Sequence, residues 1–158
     1  MAADSVNRGV PLDALIALLA AAMVGTGKPV QSVSTGGEEF DKTRETPYMT
    51  VVENGTSSRD SGLGNTKWDN VFCYEQVTFV RYQDAANGWT INDVSDQLNL
   101  VDKWLRDTIA NNRQNSNWSF IGFSEEPGQR PPMSQIITDP SRGCVMEIRN
   151  IYIRYIEA

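Results

Sequence analysis

Residues 71–83 read VFCYEQVTFVRYQ, and this run limits the fold more than any other. In an extended strand Phe72, Tyr74, Thr78, Val80 and Tyr82 point one way, while Val71, Cys73, Val77 and Phe79 point the other. Both sets are substantially apolar. Such a strand is central in its sheet, or lies between helices on one face and another subunit on the other. Residues 48–53 supply a partner strand, with Pro47 at its start, where a missing N–H does least harm. Residues 118–124 alternate Trp118, Phe120 and Gly122 against Ile121 and Phe123. Residues 133–138 form a short strand ahead of the turn signal Asp139-Pro140-Ser141-Arg142-Gly143. In the last strand, 144–156, the apolar phase changes from Cys144, Met146 and Ile148 to Ile151, Ile153 and Tyr155. That change predicts a β-bulge near Arg149 and Asn150, or burial on both faces.

Two segments carry helical periodicity instead. Leu12, Leu15, Ile16, Leu19 and Met23 recur at helix spacing after Pro11, and Gly25 and Gly27 end the segment. The alanines between them leave a thin second face, suited to lying between a sheet and a neighbouring subunit. Val94, Leu98, Val101, Leu105 and Ile109 step by four, three, four and four, with Trp104 widening the stripe and Thr90 or Asn92 as the N-cap. Asp102 and Arg106 form an i,i+4 pair on the exposed side. Residues 25–46 are polar and read as an extended arm or loop, and residues 54–70 as an exposed flap. The chain is thus expected to be one α+β domain over 1–158, a mainly antiparallel sheet of four to five strands with two helices packed on one face.

The chain contains no histidine. This removes the side chain most used for proton transfer near neutral pH, along with Ser-His-Asp and Cys-His nucleophiles and histidine-based zinc sites. Gly25-Thr26-Gly27-Lys28 fails the phosphate-loop pattern at Ala22 and Pro29, so a helix end explains it better. Glu38, Glu39 and Asp41 lack calcium-loop spacing and read as a solvated acidic loop. No cofactor or metal is expected. Two Asn-X-Ser/Thr triplets, at Asn54 and Asn117, matter only in a secretory pathway. The apolar run 12–24 is too short to span a bilayer and contains Asp13, so it reads as a docking helix rather than a membrane or export segment. The formal net charge of −6 argues against phosphate gripping. Trp68 and Trp89 flank the long strand and are candidate interface anchors or plugs over the core.

The layout of an N-terminal helix, a Pro-led strand PYMTVV, a long polar segment, the strand YEQVTFVRY, the helix 94–109 and a late strand pair resembles the tail terminator (tail completion) and neck proteins of long-tailed bacteriophages. The resemblance spans roughly residues 10–158 and rests on element order and strand character. It implies a non-enzymatic virion protein, made in the host cytoplasm. Six copies would form a ring on the last ring of tail tube protein, halt tube growth and receive the head connector. DNA would pass through without specific binding. Six chains at −6 each carry 6 × −6 = −36, which suits an acidic lumen. On this reading Leu12, Leu15, Leu19, Val77, Phe79, Tyr82, Ile151, Ile153 and Tyr155 form the subunit interfaces. Glu38, Glu39, Arg59 and Trp68 meet adjacent rings. Another neck or head–tail adaptor ring of the same fold is the alternative.

Two readings come from other classes. A small carboxylate-dependent enzyme would use Glu75, Glu147 and Asp84, and strand alternation makes Glu75 and Glu147 possible neighbours on one sheet face. A secreted binding module would be supported by a disulfide between Cys73 and Cys144, each of which otherwise reads as a buried small hydrophobe.

Overall fold

A computed structural model describes residues 9–60, 68–82 and 90–156. The elements run α1 (Gly9–Met23), β1 (Ser32–Thr35), β2 (Tyr48–Asp60), β3 (Trp68–Arg81), α2 (Ile91–Asn111), β4 (Phe120–Gly122), β5 (Gln135–Asp139) and β6 (Cys144–Ile156). The fold is α+β, with both helices against one face of the sheet. The strand order is β1-β2-β3-β6-β4, and β5 also pairs β6. β4 and β5 share the outer side of β6. β4 takes residues 152–154 and β5 takes residues 144–148.

The apolar run beginning at Val71 lies in the central strand. β3 is flanked by β2 and β6 along its whole length. Its register with β6 runs unbroken through 13 residue pairs, from Asp69↔Ile156 to Arg81↔Cys144. The expected bulge at Arg149–Asn150 is therefore absent, and the phase change reflects burial on both faces. Ile151 and Ile153 sit on the helix face beside Tyr74 and Phe72, with Leu15, Leu19, Leu105 and Ile109 above them. Cys144, Met146 and Ile148 sit on the opposite face beside Val77 and Phe79. A second, smaller apolar cluster on the helix face joins Val80 and Val145 to Val94 and Leu98 of α2.

The sheet is mainly antiparallel as expected, but it has six strands, and β1 pairs β2 in parallel. β1 lies inside the segment expected to be an irregular arm. Four residues of Ser, Val, Ser and Thr are too short and polar to show periodicity, and the pairing with residues 48–51 supplies the order. The flap expected over 54–70 is largely strand. A bulge at Asn54, between Glu53 and Gly55, lets the hairpin register continue to Asp60↔Trp68, with residues 61–67 outside the described residues. Thr90 caps α2, its N–H and hydroxyl both donating to the Asp93 carboxylate at 2.6 and 3.0 Å.

The face of the sheet opposite the helices has its own lid. The segment after β1 folds back and inserts Phe40 against Tyr48 and Phe79, with ring centroids 6.1 and 5.8 Å away. The Arg44 guanidinium lies 3.9 Å over the Tyr48 ring and donates to the hydroxyls of Ser34 and Ser32. Arg81 reaches from β3 to the carbonyl oxygen of Lys42 at 2.6 Å. Phe40 is the main apolar attachment of a polar segment, so its removal is expected to free residues 36–46. Phe40→Ala is predicted to cost roughly 3 kcal/mol in urea unfolding. It should also speed trypsin cleavage after Lys42 and Arg44 before global unfolding. Unchanged cleavage at those two sites would show that the segment is held some other way.

Candidate functional site

Between β4 and β5 the outer side of β6 is left without a strand partner at residues 149–151. The cleft there has a volume of about 460 Å³, and its walls include Glu75, Asp102, Arg106, Glu147 and Arg149. Arg149 and Glu147 project from the helix face of β6, between its two apolar clusters, and Asp102 comes down from α2. Arg149 Nη2 lies 2.6 Å from Asp102 Oδ1 and 3.0 Å from Glu147 Oε1. Ser134 Oγ donates to Glu147 Oε2 at 2.8 Å, and Arg106 Nε lies 2.9 Å from Asp102 Oδ2. The four charges thus neutralise one another. On the other face, the Asn54 bulge carries its side chain across β3, where the amide donates to Asn150 Oδ1 at 3.3 Å.

Glu75 is the unbalanced group of the cleft. It is half-buried and has no hydrogen-bond or ion-pair partner among the described residues. Burial, with Glu38 adding like charge, pushes its carboxyl above the usual glutamate range. Glu75 and Glu147 line one cleft but do not share a sheet face. Glu75 pairs with Asn150 and Glu147 with Thr78, which puts them on opposite sides of the sheet. The sequence expectation failed because the two residues lie on strands whose registers differ by one position in phase. Asp84 lies outside the described residues, as does Trp89. Among the described residues, no three His, Cys, Asp or Glu side chains are grouped to hold a metal.

The two cysteines are free. Cys73 pairs with Tyr152 and Cys144 with Arg81, eight residues apart along β3. At strand spacing that is about 26 Å, far beyond disulfide reach. The bridge considered from sequence is thereby corrected, and burial pushes both thiols above the ordinary range.

The residues expected at subunit interfaces divide sharply. Leu15, Leu19, Val77, Phe79, Ile151 and Ile153 have no exposed surface in the protomer. Their apolar surface is satisfied within the chain, so they present nothing to a neighbour. Leu12 and Tyr82 are half-buried, and Tyr155 is exposed. Glu38 and Glu39 are exposed on the folded-back segment, and the side chains of Arg59 and Trp68 lie outside what is described. Sequence reasoning passed over the opposite kind of residue, the large apolar side chain in solvent. Met133 is 95% exposed just ahead of β5, and Ile136 within it is 59% exposed. The signal was present, because Pro131-Pro132 cannot enter a ladder and holds Met133 outside it.

No protein-family model matches the chain, and comparison with curated proteins gives no significant match. No described helix is long and apolar enough to cross a membrane.

The raised Glu75 carboxyl has a definite linkage sign. A carboxyl protonated more readily in the folded state favours folding at low pH, and that contribution is lost as pH rises through its folded value. Glu75→Gln is therefore expected to raise stability at neutral pH. The gain should vanish below the pH at which the unfolded glutamate protonates. Urea denaturation at several pH values measures this, and an equal gain at every pH would contradict it.

Proposed function

We propose that the chain is a structural subunit of a ring at the head-proximal end of a bacteriophage tail, ending tube growth and joining the tail to the head connector. The observation that carries the reading is the way the sheet stops. It is open rather than closed, and its two sides end differently, in β1 and then β2 on one side and in β4 and β5 on the other. Beyond Val51 the outer side of β2 has no strand partner among the described residues, and on the far side of the sheet β5 has none beyond β6. Exposed strand edges are normally blunted or covered. Two unlike edges on opposite sides of one protomer suit a heterologous contact, the kind that closes into rings. The phage resemblance rests on a similar element order, although β1 precedes the long hairpin and three strands rather than a pair follow α2.

Other features fit the same role. The cleft charges are bound to one another, which suits a rigid joint. An acidic ring would let DNA pass, because phosphate is repelled by net negative charge. Tail tube protein on one side and connector or neck proteins on the other are the proposed partners, with no cofactor.

Disruption of the coding sequence in the phage that carries it is the direct test. Electron microscopy of the lysate should show tails of irregular length separated from filled heads. Tails of normal length that fail to join heads would move the protein to a neck adaptor ring of the same fold. Normal tail length with normal head joining would refute the proposal.

A further inference from the structure

We infer that two of these open edges recognise each other, so that β5 of one copy adds to the β2 edge of the next and the sheets run on from protomer to protomer. This deepens the ring reading and rests on it. The edges differ in character, and the stretch of β2 beyond its bulge is long enough to receive the whole of β5. β5 offers Gln135–Asp139, and β2 offers a similar stretch beyond its bulge, Gly55, Thr56, Ser57, Ser58 and Arg59. Pro132 and Pro140 bracket β5 and limit any added pairing to that length.

Neither edge carries much of the protection that isolated strands need. β5 is Gln-Ile-Ile-Thr before its first charge at Asp139, with strong strand formers and no internal proline. The middle of the β2 edge is Gly-Thr-Ser-Ser, small and uncharged. The bulge at Asn54 does blunt β2, but only at the near end of this stretch.

Side-chain placement supports the same pairing. Ile136 pairs with Glu147 and so points to the helix face, as does Thr56, which pairs with Phe72. A sheet continued from one copy to the next keeps each face continuous. Ile136 then lies over the face that carries Thr56, where an aliphatic side chain against a threonine methyl is a favourable cross-strand neighbour. Met133 stands just outside β5 and would cover the end of the junction. Its flexible thioether fits an irregular surface. An edge meeting its own copy would give a two-fold dimer with no free edge of that kind, and growth would stop at two.

Edge-blocked variants test this. Ile136→Lys should disable the β5 edge and Thr56→Lys the β2 edge, each with the circular dichroism and melting temperature of the wild type. Met133→Ala leaves both strands intact and should weaken assembly without blocking it. Native mass spectrometry and negative-stain images of the purified full chain, up to its highest soluble concentration, should show rings for the wild type. Each lysine variant alone should be monomeric. Mixing the two should give a 1:1 heterodimer and nothing larger, because each contributes one working edge.

Homodimers of a single variant would overturn the unlike-edge pairing. Rings that ignore both substitutions would overturn the edge assignment while leaving the ring reading in place. A wild type that stays monomeric throughout would also overturn edge pairing in the free chain. The tail-length experiment would then judge the ring reading by itself.

Discussion

The pairing of β3 with β6 is the interaction on which the rest of the structure depends. Its 13 uninterrupted residue pairs bring the middle of the chain against its end. It is stable because each strand is apolar on one face along part of its length and on the opposite face along the remainder. Phe72, Tyr74, Ile151 and Ile153 are roofed by the helices, while Val77, Phe79, Met146 and Ile148 lie in the opposite cluster that Phe40 joins. Fully burying side chains of this size is worth about 1.5–3 kcal/mol each, so neither roof is dispensable. At the hairpin end, the ladder is also pinned by a two-pronged ion pair, with Arg154 Nε and Nη2 at 2.9 and 2.6 Å from Asp69.

This crossing of apolar surface leaves a polar strip on the helix face. Gln76, Thr78, Glu147 and Arg149 occupy it, and α2 answers with Asp102. A charged group so placed needs a partner, because an unpaired buried charge costs several kcal/mol. The arrangement fixes how α2 lies on the sheet. Leu98 falls on one side of the strip and Leu105 on the other, with Asp102 between them. The same strip forms one wall of the cleft, so much of that concavity is built from groups that already hold the fold together. Exceptions are the Glu75 carboxyl and the buried Gln76 Oε1, which have no hydrogen-bond partner among the described residues, while main-chain groups at the sheet edges point outward.

Much of this was legible in the chain. The run 71–83 announced a strand with two buried faces, and the stripe from Val94 to Ile109 announced α2, because both signals are local and periodic. β1 was hidden, since four small residues show no period until β2 lies beside them. The Asn54 bulge was equally hidden, because residues 54–70 read as an exposed flap. Both are set by pairing partners many residues away. The interface residues chosen from sequence failed for a related reason. Apolar character marks Leu15 and Ile153 as wanting burial, but it does not say whether the chain or a neighbour provides it.

The sequence by itself determined the α+β class, the two helices, the central strand and the absence of histidine chemistry, because these follow from composition and short-range periodicity. Only the tertiary structure decided which face each apolar residue occupies. It also separated Cys73 from Cys144, set Glu75 and Glu147 on opposite faces, and left β2 and β5 open. Those outcomes follow from strand register, which is fixed by long-range hydrogen bonding and by what covers each face. A one-residue change in register would exchange every inside for an outside.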